Sequence, residues 1–229
     1  MFDTTESRTR LTSLAWGSAF ATLVIGQLHA LARHRTEDGK SDLDLAATSF
    51  WAEPAGRALD PLLSWAGPDT VYLTYGKWWV FAIGVMVAAG YLVMRLRAPH
   101  GVELWGWRIF LIGNALLALG AGSYYWGQWT TYNILEDIGL WMDLPGALLA
   151  TIGGTVLGMG LLRRGAKPRL AAVLLLLTIP FLFLISSVTS LGNTDVPAMF
   201  AIAMLAGAET RTAATQRAGL STQAVPATQ

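Results

Sequence analysis

Apolar runs about as long as a bilayer is thick alternate with short polar connections along the chain, at residues 11–32, 78–94, 109–126, 144–162 and 170–188. A helix rising about 1.5 Å per residue needs roughly 17–25 apolar residues to cross a hydrocarbon core of about 30 Å, and an open strand edge is not tolerated there. The pattern predicts an all-α fold, a polytopic transmembrane helical bundle with five spans. A sixth run, 196–208, would reach only about 20 Å as a helix. It reads as a short sixth span or as a helix lying in the interface.

The polar connections differ from one another. Residues 42–68 carry the pattern of short interfacial helices: Leu43, Ala46, Ala47, Phe50 and Trp51 follow helical spacing, and Ser41 with Asp44 is placed as a capping box. Pro54 is positioned to open another turn, and Asp60 before Pro61 reads as an N-cap and first helical residue. Residues 1–10 form a polar N-terminal segment and 11–208 one membrane domain. Residues 209–229, rich in Ala, Thr and Gln, are expected to be disordered.

Charge gives the bundle a direction. Arg8 and Arg10 precede the first run, Arg95, Arg97 and Arg108 lie between the second and third, and Arg163, Arg164, Lys167 and Arg169 lie between the fourth and fifth. All fall on one side, which the positive-inside rule assigns to the cytoplasm, with the N-terminus there and the protein in the cell membrane. The opposite side receives 127–143, which holds no Lys or Arg, and 33–76, where Arg33, Arg35 and Lys40 run against the rule. Trp78, Trp79, Trp105, Trp107, Trp126, Trp129 and Trp141 cluster at the ends of runs, as indoles do at the headgroup level. The first run admits a second reading as a signal peptide, with Arg8 and Arg10 as its basic region and Ala30 and Ala32 as a cleavage site. Against this, Ser18, Thr22, Gly26 and Ala30 form a small-residue stripe that a signal peptide does not need.

Composition agrees with a membrane solvent: 53% of residues are apolar and 14% charged, against about a quarter charged in soluble domains. A net charge of +1 supplies no field to recruit nucleic acid. The absence of cysteine excludes disulfides, thiolate metal sites and a cysteine nucleophile. Thirteen Arg against three Lys, with abundant Ala, suggests a bacterial protein from a GC-rich genome.

Candidate chemistry is sparse. Glu136, Asp137 and Asp143 lie among aromatics between two runs, and with the deeper Asn114 they form the candidate ligand-binding set. A simpler reading makes them caps: Asn133 with Glu136 matches a capping box, Ile134, Leu135, Ile138, Trp141 and Met142 share one helix face, and Asp143 would cap the fourth span. His29, His34 and His100 read as interfacial or surface residues, and no metal, cofactor or catalytic group is predicted. Gly154 and Gly158 with Ala150, and Gly26 in the first run, are packing positions that fit an internal contact or an oligomer seam equally. Gln27 and Asn114 need hydrogen-bond partners at depth, and Pro180 should kink the fifth span. The absence of ionisable groups from the middle of the runs argues against a proton pump, a retinal protein or a coupled antiporter. The expected function is a non-enzymatic subunit or homo-oligomeric component of a membrane complex. The alternative is a carrier or membrane enzyme handling a lipid or apolar small molecule through an outer acidic, aromatic cleft.

Overall fold

In a computed structural model, which describes residues 4–127 and 134–223 without placing the side chains of 136 and 217–223, the apolar runs become helices in the predicted order. The elements are α1 (Thr5–Arg33), α2 (Ala46–Ala58), α3 (Asp60–Leu63), α4 (Pro68–Gly76), α5 (Trp78–Arg97), α6 (Val102–Gly127), α7 (Ile134–Arg163), α8 (Arg169–Leu176), α9 (Thr178–Ser186) and α10 (Val196–Gln223). Short 3-10 turns precede α2 (Lys40–Asp44) and α10 (Leu191–Asp195). Five stretches are long and apolar enough to cross a membrane, and the pair α8–α9, bent by 63°, makes a sixth if counted as one span.

The helix ends have local causes. Thr4 caps α1 by accepting the Ser7 N–H at 3.2 Å. Ala98 ends α5 in the left-handed region, φ 43°, and Pro99 after it cannot continue the helix. Pro180 lacks the N–H that would bond the Leu176 carbonyl, and its ring crowds that group, so the run 170–188 breaks between Leu176 and Thr178. The kink expected at Pro180 is thus a break one turn earlier.

The core gathers around α10. Ala201, Ile202, Ala203, Leu205 and Ala206 are fully buried, and Trp107, Phe110, Leu157 and Leu175 from α6, α7 and α8 join the same cluster. The sixth run looked short because a hydropathy reading undervalues alanine. A helix enclosed by other helices needs close approach more than strong hydrophobicity, and Ala supplies it. The helix also continues past Glu209 to Gln223, contrary to the expected disorder, since Ala, Arg and Gln are strong helix formers. A smaller cluster, Leu31, Ala52, Leu63 and Val71, seats the first loop on the end of α1.

Glycine decides the helix contacts. A Cβ at Gly113 or Gly153 would overlap the backbone of Ala150 or Phe110, so α6 and α7 touch main chain to main chain. Gly154 makes room for Thr178, Gly158 for the backbone of Leu176 and Ala172, and Gly26 for Asn193. All three stripe glycines serve contacts within the chain.

Side-chain contacts sort the helix ends into two groups. At one, Arg97 bonds Glu103 at 2.7 Å and Glu209 at 2.6 Å, Arg164 bonds Glu103 at 3.1 Å, and Thr12 lies 3.3 Å from Thr210. At the other, Trp51 donates to the Val188 carbonyl at 2.6 Å and Thr48 to that of Ser187 at 3.3 Å. The bent pair therefore runs from the arginine-rich end to the loop-rich end.

Several local expectations are corrected. Residues 134–163 form one helix with Pro145 inside it, so Asp143 caps nothing. Residues 40–44 form a 3-10 turn and α2 begins without a side-chain cap, so Ser41 and Asp44 are no capping box. Pro54 lies inside α2 instead of opening a turn. The Asn133 half of the second capping box, and the Glu136 side chain, lie outside the described residues.

Candidate functional site

Helical spacing brings one face of several helices to a common space at the loop-rich end. His29 and Arg33 are one turn apart on α1, Trp79 and Ile83 on α5, and Leu182 and Ser186 on α9. Leu117, Ala121 and Tyr124 line one face of α6, and Leu140, Asp143, Ala147 and Thr151 one face of α7. With Tyr72 from α4, Tyr125 from α6 and Asp195 from the 3-10 turn before α10, they enclose a cavity of about 510 Å³. Exposed Leu140 and Leu191 belong to its lining, so the cavity reaches the molecular surface.

One wall is a directional hydrogen-bond chain. The Trp79 indole N–H can only donate and lies 3.5 Å from His29 Nδ1, so that nitrogen accepts. The imidazole proton is then on Nε2, which donates to the Tyr125 hydroxyl at 3.0 Å. The Tyr125 hydroxyl lies 3.5 Å from that of Tyr72, a long contact, and the Tyr72 ring stacks on His29 with centroids 4.6 Å apart. Gly76 permits this arrangement, because a Cβ there would overlap the Tyr125 ring. His29 is only 4% exposed, so the interfacial reading of it is corrected. Of the other histidines, His100 is exposed and His34 is buried in the first loop, where burial pulls its pKa below the ordinary value.

The acidic wall is different. Asp143 rests against Gly120, where a Cβ would overlap its Oδ1. Asp195 lines the cavity from the 3-10 turn that precedes α10. Among the described residues neither carboxylate forms a hydrogen bond or ion pair. Arg33, the guanidinium in the lining, donates from Nε to Asp42 at 2.9 Å.

Of the candidate ligand-binding residues whose side chains are described, Asp143 alone lines this cavity. Asp137 is exposed outside it, and Asn114, fully buried, donates to the carbonyl of Phe110 in its own helix at 2.8 Å. Asn114 is thus bonded within α6 and bridges no other helix through that amide. Asp195, Tyr72 and Tyr125 were missed, and His29 was read as interfacial. The one signal for Tyr72 and Tyr125 was aromatics facing a glycine, which a linear reading does not pair. Among the described residues no cluster of three potential metal ligands occurs. No family model, curated protein or solved structure matches the chain.

Proposed function

We propose that this chain is a multi-pass membrane protein that reversibly binds a small, largely apolar molecule in the cavity between α1, α4, α5, α6, α7 and α9, as a carrier or sensor does. The observation that carries this reading is the cavity itself. A space of about 510 Å³ walled by Leu, Ile, Ala and aromatic rings together with hydroxyls and carboxylates has the size of a small-molecule site and combines apolar contact with polar groups that can orient a ligand. Binding is favoured over covalent chemistry because both ring nitrogens of His29 are engaged, by Trp79 and Tyr125, which leaves it no free nitrogen to act as a base on a ligand. The arginine-rich end is opposite the cavity, so the positive-inside rule has the cavity open away from the cytoplasm.

Membership of a larger complex is a second reading. The glycine stripes are consumed internally, so it rests on the exposed aromatics Phe50 and Trp141, 85% and 80% accessible at the loop-rich end.

The first reading is tested by filling the cavity. In lipid nanodiscs, decanol should raise the Tm of the wild-type protein and have no effect on Ala147→Trp, whose indole would occupy the space. If decanol leaves the wild-type Tm unchanged up to its solubility, or raises both proteins equally, the cavity is not a binding site.

A further inference from the structure

We infer that the ligand of this cavity carries a protonated amine on an apolar body, with the ammonium held between Asp143 and Asp195. The inference rests on the cavity being a binding site and adds the chemical class of what it takes.

Charge is the first argument. Among the described lining residues stand Asp42, Asp143 and Asp195 against the single guanidinium of Arg33. Arg33 is joined to Asp42 at 2.9 Å, so two carboxylates remain without a countercharge. A carboxylate in apolar surroundings is costly unless paired, and a cationic ligand supplies the missing partner. An anionic ligand would be repelled, and a neutral one would supply no countercharge.

The second argument is independent of the acids. Ser190, 8% exposed, lines the same cavity, and its Oγ has no hydrogen-bond partner. Buried hydroxyls are normally satisfied, and an ammonium brings three donors to acceptors that the protein leaves open. The third is the aromatic wall. His29 and Tyr72 stack, Tyr124 and Tyr125 meet edge to face at 5.1 Å, and all four rings line the same cavity as the acids, where aromatic rings favour an ammonium group. The fourth is construction: Gly120 leaves out the Cβ that would otherwise displace the Asp143 carboxylate. Leu117, Ile83 and Leu182 offer the apolar contact for the body.

The test compares decylamine, decanol and decanoate on the protein in nanodiscs of zwitterionic lipid at neutral pH, with empty nanodiscs as the partition control. Decylamine should protect the wild type from thermal unfolding at concentrations about ten- to a hundredfold below those required of decanol, the range expected for a charge-assisted contact, and decanoate should be weakest. Asp143→Asn and Asp195→Asn should each erase the advantage of decylamine while leaving protection by decanol intact, which also shows that the variants fold. If decylamine and decanol protect the wild type equally, the amine assignment fails and the cavity reading stands. If neither protects, both fail. Should an Asn variant not fold, Asp143→Glu, which keeps the charge, must retain the preference for decylamine, and its loss there would overturn the proposal.

Discussion

At Gly120 a missing methyl group makes room for the Asp143 carboxylate, with the closest approaches to Oδ1 and Cγ and the third to the Asp143 main-chain nitrogen. Gly120→Ala should therefore force the acid or the helix to shift, at a cost of about 1–3 kcal/mol, the usual range for overpacking a fitted site. Part of that cost should vanish when the carboxylate is removed. The double variant Gly120→Ala with Asp143→Ala should be less destabilised than the sum of the two single changes, as read from thermal or denaturant unfolding in detergent. Strict additivity would mean that Gly120 matters for its backbone and not for the acid it faces. Residues of this kind explain what the sequence concealed. Asp143 was visible as an acid beside Pro145, and that local pattern suits an N-cap. Its actual role depends on Gly120 in the preceding helix, a partner that spacing along one helix cannot reveal. His29 was hidden similarly, since its three aromatic neighbours come from three different helices.

Among the elements, the long apolar runs were legible because hydropathy alone demands a helix of spanning length. Boundaries set by long-range packing were not. The segment 134–143 joins the fourth run in one helix, and Pro145 is accommodated within it. The glycine patterns were legible as contact surfaces, but not as to which surface they meet. Gly158 faces backbone atoms of Leu176 and Ala172, whereas nothing lies within 4 Å of where a Cβ would stand at Gly17 or Gly84. Gly158→Val should thus separate α7 from α8 and destabilise the protein by several kcal/mol, because neither backbone can give way. Gly17→Ala and Gly84→Ala should be neutral or stabilise by roughly 0.5–1 kcal/mol through helix propensity. The comparison is a set of unfolding curves in detergent, taken at two protein concentrations. If Gly158→Val is tolerated, or if its cost depends on concentration, that stripe meets a second copy of the chain and not α8.

For the molecule as a whole, the contacts bring both ends of the helical array into register: α1 begins beside α10, and the bent pair α8–α9 returns the chain from the arginine-rich end to the loop-rich end. Counted as one span, the bent pair brings the passages to six, with Thr12, Glu103, Arg164 and Glu209 gathered at one end. The Glu103 side chain there is completely enclosed, clamped by Arg97 and Arg164. These two arginines therefore hold helices together as well as contributing to the charge asymmetry. The proposed orientation keeps its support, because the rule counts Lys and Arg near span ends and acids contribute little to it. An exposed site at each end makes the orientation measurable, and the chain contains no cysteine to give a background. Asp137 is exposed at the loop-rich end and Lys167 at the arginine-rich end, whereas Asp143 faces the cavity and is a poor reporter. In intact cells a membrane-impermeant maleimide should label a cysteine placed at Asp137 and spare one at Lys167. A cysteine at Thr215, on the exposed stretch of α10, should be spared as well, because six passages return the chain to its starting side. Labelling at Thr215 alongside Asp137 would mean that α8–α9 enters and leaves by the same face, as a re-entrant loop, and that the cavity is built around five spans. Labelling at Lys167 but not Asp137 would invert the orientation and turn the cavity toward the cytoplasm.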